Sequence, residues 1–306
     1  MAPIEGDRLA IAVAADGKVG FASPFIYGVV VSNPPITVFT GSLNPTPLAG
    51  GPVTYGRGAD GALYSGRISA GLASPPFVAN ETSSAKWTLV PPRCGAGCDP
   101  ILQAWPVAIL AGPDGATWTL TQGGMLRLNA DGTTTGLSFA ATLMAFSDAV
   151  VGPDGAFWVV DGAGAIERIP IAGNASAFAV GGRPTRIAAG ADGAMWFLDL
   201  LGGVRRITTS GSVTTVAPAP SGGFTAGDAI AQGADHAIWF TEATANKLGR
   251  IAPGGAFNEF ASSTAGGSPT GVAAAPDGSL YFLEQNSSGV VLVHALLSQT
   301  LVTVGF

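Results

Sequence analysis

Residues 152–158 read Gly152-Pro153-Asp154-Gly155-Ala156-Phe157-Trp158, and the phrase returns along the chain. Gly112-Pro113-Asp114-Gly115-Ala116-Thr117-Trp118 and Gly190-Ala191-Asp192-Gly193-Ala194-Met195-Trp196 repeat it closely. Ala275-Pro276-Asp277-Gly278-Ser279-Leu280-Tyr281 varies it. The full set of anchors is Asp16, Asp60, Asp114, Asp154, Asp192, Asp235 and Asp277, with successive separations of 44, 54, 40, 38, 43 and 42 residues. Asp at a turn hydrogen-bonds its own backbone two residues on, and Gly accepts positive φ. Strand-rich text with a period near 40 is the signature of a β-propeller. The expectation is all-β: a seven-bladed β-propeller of four-stranded antiparallel blades around a central channel. It forms one domain over 1–306, with blades near 7–43, 50–92, 105–141, 146–182, 184–218, 226–263 and 269–306.

The sixth copy shows how a blade is written. Gly227–Gly233 is an inner strand of small residues, Asp235-His236 the turn, and Ala237–Glu242 the second strand. Lys247–Ile251 is the third strand and Phe257–Phe260 the outer one. Four residues after each Asp stands an aromatic: Tyr64, Trp118, Trp158, Trp196, Trp239 and Tyr281; the first copy has Gly20 there. These rings are expected to fill the gaps between neighbouring blades. The long separation before Asp114 marks an insertion loop at 74–101, containing the strand-like Lys86–Val90.

Composition narrows the classes. The chain has 306 residues, 47% apolar and only 11% charged, which excludes disorder. Net charge is −6 and the only lysines are Lys18, Lys86 and Lys247, so a nucleic-acid footprint is missing. No apolar run reaches the roughly 18–20 residues of a membrane span. Mean hydropathy is +0.40, high enough to suggest apolar patches for oligomeric contact. Cys94 and Cys98 sit in a Gly/Pro loop at a C-x3-C spacing; a short-loop disulfide is the plain reading, and it points to a secreted or periplasmic protein. A zinc site would want four ligands, and no further Cys exists. The start of the chain reads as a mature form without a signal peptide.

Seven residues past each anchor lies the end of the second strand. The residues there are Ser23, Arg67, Thr121, Asp161, Asp199, Glu242 and Glu284. Four consecutive copies thus place a carboxylate at one equivalent point, an arc at one mouth of the channel. Crowded carboxylates raise each other's pKa or recruit a cation. Asp199, Glu242 and Glu284 are therefore candidate ligands for Mg²⁺ or Ca²⁺, oxygen-seeking ions. Asp161, Asp199 and Glu242 with Thr121 and Arg67 are candidate ligand-binding residues. The competing reading has these acids capping turns or pairing with Arg127, Arg168, Arg205 or Arg250. Seven residues before each anchor stand Leu9, Val53, Val107, Ser147, Thr185, Asp228 and Thr270, apolar over three copies and polar over four. Thr185 and Thr270 join the binding candidates. Asp228 needs a partner on a strand of Ala, Ile and Gly.

Trp239-Phe240-Thr241-Glu242 followed by Asn246-Lys247-Leu248-Gly249-Arg250-Ile251 resembles the repeat of the streptogramin B lyases, the virginiamycin B lyase family, which reads P-D-G-x-L-W-F-T-E-x-x-x-N-K-I-G-R-I. The resemblance is close in the sixth copy and loose in the first two. It implies a seven-bladed propeller, Mg²⁺, and elimination at the ester of a cyclic depsipeptide using histidines and acids at the mouth. The family's two histidine segments correspond to Gly227-Asp228-Ala229-Ile230 and Pro269-Thr270-Gly271-Val272, and both histidines are missing. An acid just ahead of the second becomes Ser268, while Glu284 matches a family acid. His236 lies in a turn and His294 on the last blade's third strand; neither substitutes by spacing.

Three readings follow. The first is a propeller that binds a small-molecule or protein ligand without the lyase reaction. The second is a metal-assisted C–O lyase or ester/lactone hydrolase, with Glu284 and Asp228 as carboxylate bases of raised pKa. The third is a self-assembling surface protein.

Overall fold

The computed structural model describes residues 10–22, 27–30, 52–67, 77–80, 106–121, 124–129, 134–138, 146–172, 174–262, 266–286, 289–295 and 302–304. These form two compact units, Ala10–Asp148 and the described residues from Ala149 onward. Every sheet is antiparallel and follows chain order, each strand pairing with the next.

In the first unit, β1 (Ala10–Val13), β2 (Val19–Ala22) and β3 (Tyr27–Val30) form a sheet, and β4 (Pro52–Arg57), β5 (Leu63–Arg67) and β6 (Phe77–Asn80) form another. The first complete blade joins β7 (Pro106–Ala111), β8 (Thr117–Thr121), β9 (Gly124–Leu128) and β10 (Thr134–Ser138). The other four blades have the same plan. They are β11 (Phe146–Val151), β12 (Phe157–Asp161), β13 (Ala165–Ile169) and β14 (Ser176–Ala179); then β15 (Pro184–Ala189), β16 (Met195–Asp199), β17 (Gly203–Ile207) and β18 (Val213–Ala217). Next come β19 (Ile230–Gln232), β20 (Ile238–Glu242), β21 (Lys247–Ile251) and β22 (Phe257–Ala261); last, β23 (Ser268–Ala274), β24 (Leu280–Asn286), β25 (Gly289–Ala295) and β26 (Val302–Val304).

The propeller therefore has five four-stranded blades, not the seven expected. The copies around Asp16 and Asp60 give three-stranded sheets among the described residues. The sequence after β3 carries Pro34, Pro35, Pro45 and Pro47, and that after β6 carries Pro91, Pro92 and Pro100. Proline donates nothing to a ladder, so both stretches are poor text for a fourth strand. The expected strand Lys86–Val90 and the pair Cys94/Cys98 lie outside the described residues, and Phe77–Asn80, expected within the insertion loop, is β6.

The repeated phrase is explained at the turns. In the four copies from Asp114 to Asp235, one carboxylate oxygen accepts from the backbone N–H two residues on and from the Trp indole N–H four on, at 2.9 Å for Trp118 and 3.1 Å for Trp158. The other oxygen takes a third-strand arginine: Arg127, Arg168, Arg206 or Arg250. The Gly before each Asp is required by close approach, because a Cβ on Gly152 would meet the Trp158 indole and the Asp154 carboxylate. The Gly after it has positive φ in most copies, 69° at Gly155, and His236 takes that conformation in the sixth copy with φ of 59°.

As expected, the rings pack between blades. Trp158 shares a core cluster with Ile187, Met195, Phe197 and Ile207 of the following blade, and Trp239 one with Val272, Leu280 and Phe282. Full burial of one such ring is worth roughly 4–6 kcal/mol gross. Within the second unit the packing neighbours of β15 include β12 and β19, and β19 in turn packs on β23. Equivalent strand ends of successive blades thus follow one another.

Candidate functional site

The second strands β12, β16 and β20 are buried at every position, so the residue closing each one is buried without its type having chosen that. Asp161, Asp199, Glu242 and Glu284 are all buried, as the seven-residue count anticipated. Their partners differ from blade to blade.

Asp199 is fully engaged. Its Oδ1 accepts from the N–H groups of Arg183 (2.8 Å) and Leu201 (2.9 Å), and its Oδ2 from Arg205 Nη1 (2.7 Å). Burial works against its charge, but these donors outweigh it and hold the carboxyl below its ordinary value. A Cβ on Gly182 would collide with the same carboxylate. Asp161 accepts from the N–H of Ala163 (2.9 Å), a turn-capping bond, and its ionisable neighbour is another acid, Glu167. Burial, then the charge of Asp161, pushes Glu167 up.

Asp228 is completely buried before β19 and holds the local backbone together. Its Oδ2 accepts from the N–H (2.6 Å) and hydroxyl (3.0 Å) of Thr225, and its Oδ1 from the Thr241 hydroxyl (3.2 Å) and the Ala243 N–H (2.8 Å). Burial raises its pKa despite those donors. The inner strand begins only at Ile230 because the preceding backbone is committed to this knot.

Glu242 closes β20 and is 1% exposed. Its Oε2 has no hydrogen-bond partner. Burial first, then the charge of Glu259, pushes its pKa up to about 7, with Asp228 adding to the rise and Lys247 opposing it. Lys247 is turned to Glu259 instead, at 2.7 Å. Glu284 is buried on β24 and accepts from the Ser262 hydroxyl just past β22. Ser268 donates to the Ala243 carbonyl at 3.4 Å, bringing β23 to the 3-10 turn Ala243–Ala245. The Thr270 hydroxyl, 7% exposed on β23, has no partner. The last two blades thus carry Asp228, Glu242, Ser262, Ser268, Thr270 and Glu284 at their facing strand ends.

Thr185 donates to the Leu198 carbonyl (3.4 Å), a within-blade contact, and Thr121 to the Gly124 carbonyl (3.0 Å) in the other unit. Arg67 ends β5; its side chain and all of Ser23 lie outside the described residues. Of the arginines weighed as partners for the acids, only Arg205 serves one of them; Arg127, Arg168 and Arg250 hold turn aspartates. Glu167 and Glu259 were not anticipated. Each lies two residues past a strand partner of the acid's own ladder, a diagonal visible only once register is fixed.

A magnesium ion, implied by the resemblance, does not fit these side chains. Among the described residues no group of three or more His, Cys, Asp or Glu gathers to hold a metal. Asp199 and Asp228 also spend their oxygens on N–H and O–H donors.

A sequence profile for the virginiamycin B lyase family matches residues 100–295, well over half of the chain. The chain belongs to the virginiamycin B lyase family. Solved members share the fold. A catalytically inactive His-to-Ala virginiamycin B lyase from Staphylococcus aureus, with quinupristin, is 22% identical, with TM-score 0.73 over 97% of this chain and 98% of that one. A streptogramin B lyase is 23% identical, with TM-score 0.68 over 92% of each chain. Beyond the virginiamycin B lyase family, the extracellular domain of a hybrid two-component system from B. thetaiotaomicron is 11% identical, with TM-score 0.68 over 94% of this chain and 39% of that one. Among curated proteins none matches in sequence. No helix among the described residues is long and apolar enough to cross a membrane.

Proposed function

We propose that this chain is a ligand-binding propeller that retains the family's fold without its lyase reaction. The ligand would lie at the strand ends of the last two blades, against Asp228, Glu242, Thr270 and Glu284. One observation carries the reading: Glu242 Oε2 and the Thr270 hydroxyl are buried polar atoms that the chain leaves without a partner. Such atoms are costly unless something outside the chain completes them. The chemistry of the histidine positions supports the loss of lyase activity. Thr270 does not titrate near neutral pH, and Asp228 is a backbone clamp with four donors, which is poor geometry for a base that must reach a substrate proton. The likeness to an extracellular domain and the Cys94/Cys98 pair support a setting outside the cytoplasm.

Quinupristin, present with the S. aureus relative, is the first probe. Binding should raise the thermal midpoint of this protein, and chromatography should recover the antibiotic still cyclic after prolonged incubation. Linearised product that depends on enzyme concentration would overturn the non-lyase reading. An unmoved midpoint at saturating probe would overturn the inherited ligand site.

A further inference from the structure

The equivalent position in successive blades is solved in different ways. In the blade of β15–β18, Asp199 faces Gly203 across the ladder, and Arg205 stands on the diagonal two residues on. Its guanidinium neutralises Asp199 and lies over the Phe197 ring, 5.5 Å from the centroid. In the next blade Glu242 faces Lys247, and the diagonal residue is Gly249. A Cβ there would stand 2.8 Å from Glu242 Oε1 and would strike the Phe240 ring, so the ring and the carboxyl close directly over the glycine. The built-in guanidinium of one blade is thus absent from the other.

Nothing else in the chain supplies that charge. The charged groups around Glu242 are Asp228, Glu259 and Lys247. β23, packed against β20 and β21, carries no charged residue, and Glu284 on β24 is held by Ser262. Arg250 is bound to Asp235. Three carboxyl groups thus share the single ammonium of Lys247, which is committed to Glu259 on the half-exposed side.

We propose that the ligand of this site bears a guanidinium or ammonium group, which takes beside Glu242 the place that Arg205 takes beside Asp199, and that it enters as Glu242 releases a proton by way of Glu259. This rests on the ligand-site reading above. A buried acid without a cation keeps a proton, and burial holds Glu242 near that balance at about 7. An incoming cation replaces the proton, so cation affinity must rise with pH through that range.

The test uses methylguanidinium against methylurea, its neutral counterpart, at matched ionic strength. At pH 8 and tens of millimolar, methylguanidinium should raise the midpoint by about 1–3 °C relative to methylurea. At pH 5.5 the difference should vanish, and Glu242→Gln should abolish it at both pH values. Glu259→Gln, a change on the exposed outer strand, guards against a folding artefact: it should keep the fold and alter the pH at which the difference appears. No difference at pH 8, or the same difference in Glu242→Gln, overturns the cation inference. If quinupristin binds Glu242→Gln and the parent equally, the cation inference fails while the ligand site stands. If neither probe binds, both fail.

Discussion

At the scale of single residues, the turn aspartates do more than shape a turn. Asp154 joins a backbone N–H, the Trp158 indole and Arg168, so one carboxylate fixes the turn, the interblade ring and the third strand together. Burial disfavours its charge, but the Trp158 and Arg168 hydrogen bonds hold its pKa below the ordinary 3.8. Asp154→Ala should therefore cost about 2–3 kcal/mol, because the buried indole N–H loses its acceptor along with the ion pair. Urea denaturation checks it, with a lower midpoint and an unchanged slope. Asp16 makes the opposite case: it pairs with Lys18 in an exposed turn, no Trp follows it, and Asp16→Ala should change stability by less than about 1 kcal/mol.

At the scale of the blade, legibility followed local completeness. The sixth copy was readable strand by strand because its turn residues, aromatic and strand lengths all agree, and β20, β21 and β22 lie within a residue or so of the reading. The seven-residue count also found the buried acids, since strand length fixes where a second strand ends. What it could not show was whom each acid meets, because that depends on cross-strand register and on residues far along the text, such as Gly249 or Glu259. Nor did it show that two copies stop at three described strands, because the Asp-Gly anchor marks only the first turn of a repeat. The diagonal partner carries a measurable consequence. Arg205→Met would leave Asp199 buried with its charge unneutralised, and should cost about 3–5 kcal/mol. The same Met in place of Lys247, on the half-exposed side of its blade, should cost less than about 1 kcal/mol. Guanidinium-chloride melts of the two variants compare them directly.

At the scale of the whole molecule, these groups combine in the dependence of stability on pH. The turn acids Asp114, Asp154, Asp192 and Asp235 have pKa values below the ordinary 3.8, so the stability they contribute is present above that value and is lost as pH falls through their folded-state values. Glu242 has the opposite sign. Its pKa rises from 4.5 unfolded to about 7 folded, so the native state holds a proton the unfolded chain has released, and stability falls as pH climbs through that interval before levelling off. Burial raises Asp228 and Glu167 as well, which adds to the same descent. The two limbs place maximal stability near pH 4–5, more acidic than the usual range of about 5–8. Thermal midpoints from pH 3 to pH 9 should show this peak. In Glu242→Gln, whose amide mimics the protonated acid, the alkaline limb should flatten, and the variant should melt above the parent at pH 8 while matching it near pH 4.5. A parent profile that peaks at pH 7 or higher would mean that Glu242 is ionised in the folded chain, with a partner that compensates its burial.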